Sequence, residues 1–149
     1  DSDTNNSYVL VIEATAPDGS KSTQTITVTV TNVADTPPVI TGPSGGAGSL
    51  ASAIAVNEGT VAVTTVTSNR PVTWSIIGGT DRGQFSINAQ GQISFIAAPN
   101  FEAPTDSDRN NSYVLTVEAV DANGERSQQT ITVTVLNVDE LQRKLNEIG

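Results

Sequence analysis

The side chains of this chain that could do chemistry are nearly all hard oxygen donors. Sixteen Asp and Glu stand against seven Lys and Arg, with no His, Cys or Met. Without imidazole the commonest general base and zinc ligand are gone. Without thiols there are no disulfides and no thiolate nucleophile. Catalysis would have to rest on a carboxylate pair or a Ser-Lys dyad in a pocket. The sequence carries no nucleophile elbow, phosphate-binding loop or metal-ligand cluster, so an enzyme is not expected. The net charge of −9 repels nucleic acid and anionic membranes and attracts divalent cations. No apolar run approaches the ~18 residues of a spanning helix, so membrane insertion is not expected.

Two local features invite a sharper reading. Asp106, Asp108 and Asn110 alternate like the start of an EF-hand loop. However, the glycine position of such a loop holds Asn111, and its final glutamate position holds Val117. The flanks read as strands, which favours a polar inter-strand loop. Trp74 could stack on a sugar, yet its place inside an alternating strand assigns it to the core.

The elements that must position these groups come in two copies. Residues 1–35 and 106–140 align without a gap at an offset of 105, with 22 of 35 positions identical. Such a period marks a tandem array of small domains. It sets residues 36–140 as a complete repeat, residues 1–35 as the C-terminal hairpin of a preceding one, and 141–149 as a short helical or unstructured tail. In each copy two alternating strands flank a turn (PDGS, then DANG), which predicts a β-hairpin. Between the copies, strands are expected at 52–56, 61–67, 71–76, 83–87 and 92–97. Seven short strands in about a hundred residues predict an all-β antiparallel sandwich of immunoglobulin-like outline. Its predicted core is Val56, Val63, Trp74, Ile76, Phe85, Ile87, Ile93, Phe95, Tyr113, Leu115, Val117, Ile131, Val133 and Val135. Tyr8 is assigned inward by the same alternation, which leaves Phe101 as the aromatic for any sugar platform. Residues 34–39 read as a stiff Pro-Pro junction and 42–52 as a flexible loop. Over 139–149 the spacing of Leu141, Leu145 and Ile148 predicts a helix, with Asp139 as cap and Gln142 closing the box. Whether it is a connecting helix or an appended tail stays open.

The ordered strings AVNEGT, SIIGGTDRGQFSINAQGQISF, APNFEAPTDSDRNNSYVLTVEAVD and TITVTVLNV span residues 55–138. Together they resemble the bacterial cadherin-like repeats of large secreted or surface adhesins. The resemblance implies a seven-stranded Greek-key sandwich and an extracellular or cell-surface place on a bacterium. It also implies a structural extender stiffened by Ca²⁺ at joints between repeats, because Ca²⁺ takes carboxylate and carbonyl oxygens. Its implied ligands are Glu58, Asn100, Glu102, Asp121, Asp35, and Asp139 with Glu140 in the second linker. Two departures weaken the joint at residue 35. TSNR at 67–70 replaces an Asp-x-Asp pair and puts a positive Arg70 near a calcium position, and Ala16 stands where the other copy has Asp121. The implied partners are neighbouring repeats or copies of the chain itself; a polysaccharide- or partner-binding module is the alternative. An isolated two-stranded hairpin is marginal in water. Residues 7–33 are therefore expected to pack in cis as an added edge or to donate strands to another chain.

Overall fold

The computed structural model describes residues 4–33 and 35–148, and the side chains of all of these except 141–143. They form two compact units that divide between residues 34 and 35.

The first unit is a hairpin of β1 (Ser7–Thr15) and β2 (Lys21–Thr29), paired antiparallel from Ser7↔Thr29 to Thr15↔Lys21. Its turn closes through Ala16 N–H donating to Ser20 O, with Gly19 at φ +84° where a Cβ would be strained. Tyr8, Leu10 and Ile12 alternate along β1 as predicted, but they are 47%, 55% and 47% exposed. The inward assignment of Tyr8 is therefore corrected: two strands supply one layer, and a second layer is needed to bury a sheet face.

The second unit contains the sandwich. One sheet runs β4 (Ala51–Asn57), β11 (Arg126–Leu136), β10 (Ser112–Val120), β7 (Thr73–Gly78); the other runs β5 (Ala62–Thr65), β9 (Gln92–Phe95), β8 (Phe85–Ile87). A two-residue pair of β3 (Ile40–Thr41) with β6 (Thr67–Ser68) completes it. β4 lies parallel to β11, and every other pairing is antiparallel. The chain passes back and forth between the sheets, so the closing hairpin β10–β11 is held by strands far away in sequence. The expected strand 61–67 is broken at Val66, whose N–H donates to Gly91 O and whose side chain is fully buried. That break hands the chain from β5 in one sheet to β6 on the edge pair.

All fourteen predicted core residues are in the core or packed on it; Trp74, Ile76 and Ile87 are half-buried at its margin. Phe85, Phe95 and Tyr113 meet at its centre, with the Phe95 and Tyr113 rings edge to face at 5.1 Å. The stretch 42–52, expected as a flexible loop, is tied down instead. Gly48 N–H donates to Ile40 O, Ser44 Oγ accepts Ala53 N–H, and Gln129 Nε2 donates to Ser49 O. The first compact unit ends one residue before the expected boundary at 35, and Thr36 O accepts Arg70 Nη1 within the second. The tail is helical, α1 spanning Glu140–Ile148 with Leu145 and Ile148 exposed. The predicted roles of the Leu141 and Gln142 side chains lie outside the described residues. Among the described residues no helix is long and apolar enough to cross a membrane.

Candidate functional site

The implied ligands separate to two ends of the β11 strand, which spans eleven residues or roughly 33 Å. At its far end lie Glu58, Asn100, Glu102, Asp139 and Glu140. β4 runs parallel to β11 and so delivers Glu58 beside the exit of the sheet, where Glu58 N–H donates to Leu136 O. The Glu58 carboxylate is buried and accepts Phe101 N–H at 3.0 Å and Val138 N–H at 2.8 Å. It thereby ties the 99–102 loop to the outgoing chain. Asn100 turns that loop by accepting Glu102 N–H at 2.9 Å and Ala103 N–H at 3.1 Å, and Glu102 accepts Asn137 Nδ2 at 3.0 Å. Asn100, Glu102, Asn137, Asp139 and Glu140 line one open, oxygen-rich depression. This donor set suits a hard cation in kind. Among the described residues, however, no three His, Cys, Asp or Glu side chains converge as a metal-holding group.

At the near end lie Asp121 and Asp35. Asp121 sits in the β10–β11 turn; Oδ1 accepts Asn123 N–H at 2.9 Å and Glu125 N–H at 3.0 Å, and Oδ2 accepts Arg70 Nη1 at 3.1 Å. Burial pushes its carboxyl up, but these turn hydrogen bonds and the Arg70 guanidinium outweigh it and hold the group below its ordinary value. The Asp121 side chain is 3% exposed while Asp35 is exposed. Here the donor set does not suit a divalent cation, because a guanidinium already faces the buried carboxylate. The predicted opposition of Arg70 is direct contact.

The 106–111 segment is an inter-strand loop. Asp106 is buried and accepts Asn110 N–H at 2.7 Å and Asn111 N–H at 3.3 Å, which turns its oxygens inward onto backbone. Arg109 and Asn111 have φ of 59° and 65°, and their counterparts Thr4 and Asn6 have 59° and 58°. The copies match throughout: every β1–β2 pair recurs in β10–β11 at an offset of 105. The Lys21–Glu13 ion pair recurs as Arg126–Glu118, at 2.9 and 2.8 Å. What differs is cover, since Tyr113, Leu115 and Val117 are fully buried where Tyr8, Leu10 and Ile12 are exposed.

Two organising residues escape the sequence reading. Asp81 accepts Ser107 N–H at 2.7 Å, Val114 N–H at 2.8 Å and Thr80 Oγ1 at 2.9 Å, fixing the 106–111 loop on β10. Burial pushes its carboxyl up, and those bonds outweigh the burial and hold it below the ordinary value. Gln129 is fully buried, accepting Ser52 Oγ at 3.0 Å and donating to Ser49 O at 2.7 Å. Its signal was available, because it shares the inward phase of Ile131, Val133 and Val135.

A family model described as a bacterial Ig domain matches residues 35–134. No curated protein matches the sequence. Among solved structures, the protocadherin GammaB4 extracellular domain is similar at TM-score 0.54 and 24% identity, over 91% of this chain and 22% of that one. Protocadherin Gamma B2 extracellular cadherin domains 3-6 give 0.52 and 22%, over 67% of this chain and 22% of that one. Mouse clustered PcdhgC3 EC1-3 gives 0.52 and 19%, over 91% and 45%. The chain thus spans less than half the length of each of these structures, and at these identities the likeness is one of fold.

Proposed function

The chain belongs to the bacterial Ig-domain family, and on that footing we propose that it is a non-enzymatic extender from an extracellular tandem array. Its first hairpin closes a sandwich of its own kind. One observation carries this reading: residues 7–29 keep the register and apolar alternation of residues 112–134 while their apolar face stands exposed. Covering the exposed halves of Tyr8, Leu10, Ile12 and Val28 stabilises the assembled form by about 1 kcal/mol each. The occupant is a set of strands like β4 to β9 of the second unit, supplied by a neighbouring repeat. Gln24 supports that choice, because it holds the place of Gln129, whose amide is satisfied by Ser49 just before β4 and by Ser52 within it.

Transplantation tests it. The strand residues 7–15 and 21–29 are placed at 112–120 and 126–134, with the 121–125 turn left intact. Ile12 adds a methylene at the buried Val117 position, and Val11 removes the Thr116–Thr130 hydroxyl contact. The expected cost is about 2 kcal/mol with cooperative unfolding retained. Loss of cooperativity in Trp74 fluorescence would show that the hairpin cannot close this sandwich.

The far end of the sandwich supports a second part of the proposal, a Ca²⁺ half-site completed by the next repeat. Glu58, Glu102, Asp139 and Glu140 would supply carboxylates, and Asn100 an amide oxygen. Bound there, the ion would stiffen the joint. Phe101 packs against the core, which gives polysaccharide stacking little support in this unit. A bacterial cell-surface or secreted location follows from the proposed role.

A further inference from the structure

We propose that the linker leading into the sandwich of the second unit is held at the near end by a guanidinium in place of a metal ion. Arg70 bridges the buried Asp121 carboxylate to the linker carbonyl of Thr36, so linker attachment at that end does not depend on calcium. Arg70 Nη1 lies 3.1 Å from Asp121 Oδ2 and 3.0 Å from Thr36 O. The other carboxylate oxygen is engaged by Asn123 and Glu125 N–H. A Ca²⁺ ion at ~2.4 Å from Oδ2 would sit within about 5.5 Å of that positive nitrogen and would still need several more oxygens. The planar guanidinium is permanently charged and offers several donors, so one side chain neutralises the acid and binds the carbonyl together.

The neighbours of Arg70 join the same task. Asn69 Oδ1 accepts Val39 N–H at 2.8 Å, and Asn69 N–H donates to Val39 O at 3.2 Å. Thr67 and Ser68 form β6, paired with Thr41 and Ile40. Ser127 Oγ donates to Pro38 O from the β11 side. All four residues of TSNR therefore grip the linker or the strand that follows it. The tetrapeptide that departs from the acidic pattern is a clamp made of protein alone. Pro37 and Pro38 have no N–H to satisfy, which leaves the carbonyls as the groups to be held.

The inference is independent of the calcium half-site proposed for the far end, and one NMR experiment reads both. Amide spectra of the full chain are followed through a CaCl₂ titration, with MgCl₂ as control, and hydrogen exchange is compared with Arg70→Gln. The expected result is that amides of Thr36, Val39, Asn69 and 121–125 stay in place through millimolar calcium. Exchange at Val39 should accelerate at least tenfold in Arg70→Gln, with Arg70→Lys intermediate. Saturable calcium shifts at 121–125 would overturn the inference, as would unchanged Val39 exchange in a folded Arg70→Gln chain. Should Arg70→Gln fail to fold, the wild-type titration still decides. Shifts at Glu58, Glu102 and Val138 report the far end separately and leave the near-end inference untouched.

Discussion

Replacing Gly42 by Ala gives the most exacting check on how the second unit is packed. A Cβ there would lie 1.9 Å from Gln129 Oε1, 2.7 Å from Ser52 Oγ and 2.8 Å from Gln129 Cδ. Gln129 is fully buried and pinned at both ends of its amide, so it cannot swing aside without losing its partners. Losing two hydrogen bonds at about 1 kcal/mol each, with part of a buried amide then unsatisfied, sums to about 3 kcal/mol. Urea unfolding followed by the single tryptophan, Trp74, reports this unit without interference from the hairpin. For a slope of roughly 2 kcal/mol/M the midpoint should fall by about 1.5 M. Gln129→Ala should cost about 2 kcal/mol alone, and Gly42→Ala should then add little, because the atom it strikes is gone. A Gly42→Ala effect below about 0.5 kcal/mol, or simple additivity with Gln129→Ala, would refute the packing argument.

Three further outcomes follow from the same geometry. Asp81→Asn sets an amide donor against the N–H donors of Val114 or Ser107 and should lower stability by about 2–3 kcal/mol in the same urea assay. Asp81 and Asp121 both have folded-state pKa values below the ordinary 3.8. The unfolded chain therefore binds more protons in acid, so their contribution is full above 3.8 and is lost as pH falls through the lower folded values. With no histidine the stability profile should be flat from about pH 5.5 to 8, and Asp81→Asn should soften the acid fall. Glu58→Gln removes an acceptor from Phe101 or Val138 N–H, costs about 1–3 kcal/mol, and should abolish any calcium-induced rise in melting temperature.

The sandwich was legible because its strands alternate with period two and one hairpin is written twice. Tyr113, Leu115 and Val117 could be assigned to the core from β10 alone, since burial there follows the strand phase. The same phase misplaced Tyr8, because alternation says which face is apolar and says nothing of what covers it. The 42–52 stretch lacks any period, so its attachment through Gln129 depends on a contact some 80 residues away that local pattern cannot show. The strand break at Val66, by contrast, had a local signal: the Thr64-Thr65 doublet shifts the apolar phase from Val61 and Val63 to Val66, where the N–H turns to Gly91 O. The resemblance named Glu58, Glu102 and Asp121 as ligands, and the fold sorts them to opposite ends of β11. The sequence also marked Arg70 as hostile to calcium, but the linker carbonyl that Arg70 holds became visible only with the fold.

The central claim, that residues 7–29 form a closing hairpin in need of another repeat's strands, is tested most directly by mass in solution. Multi-angle light scattering from low to high micromolar concentration should show the full chain associating. The chain lacking residues 1–34 and the full-length Leu10→Asp variant should both stay monomeric, with Trp74-reported stability of the second unit preserved. A full chain that remains monomeric across that range, or one whose association survives removal of the hairpin, would contradict the account.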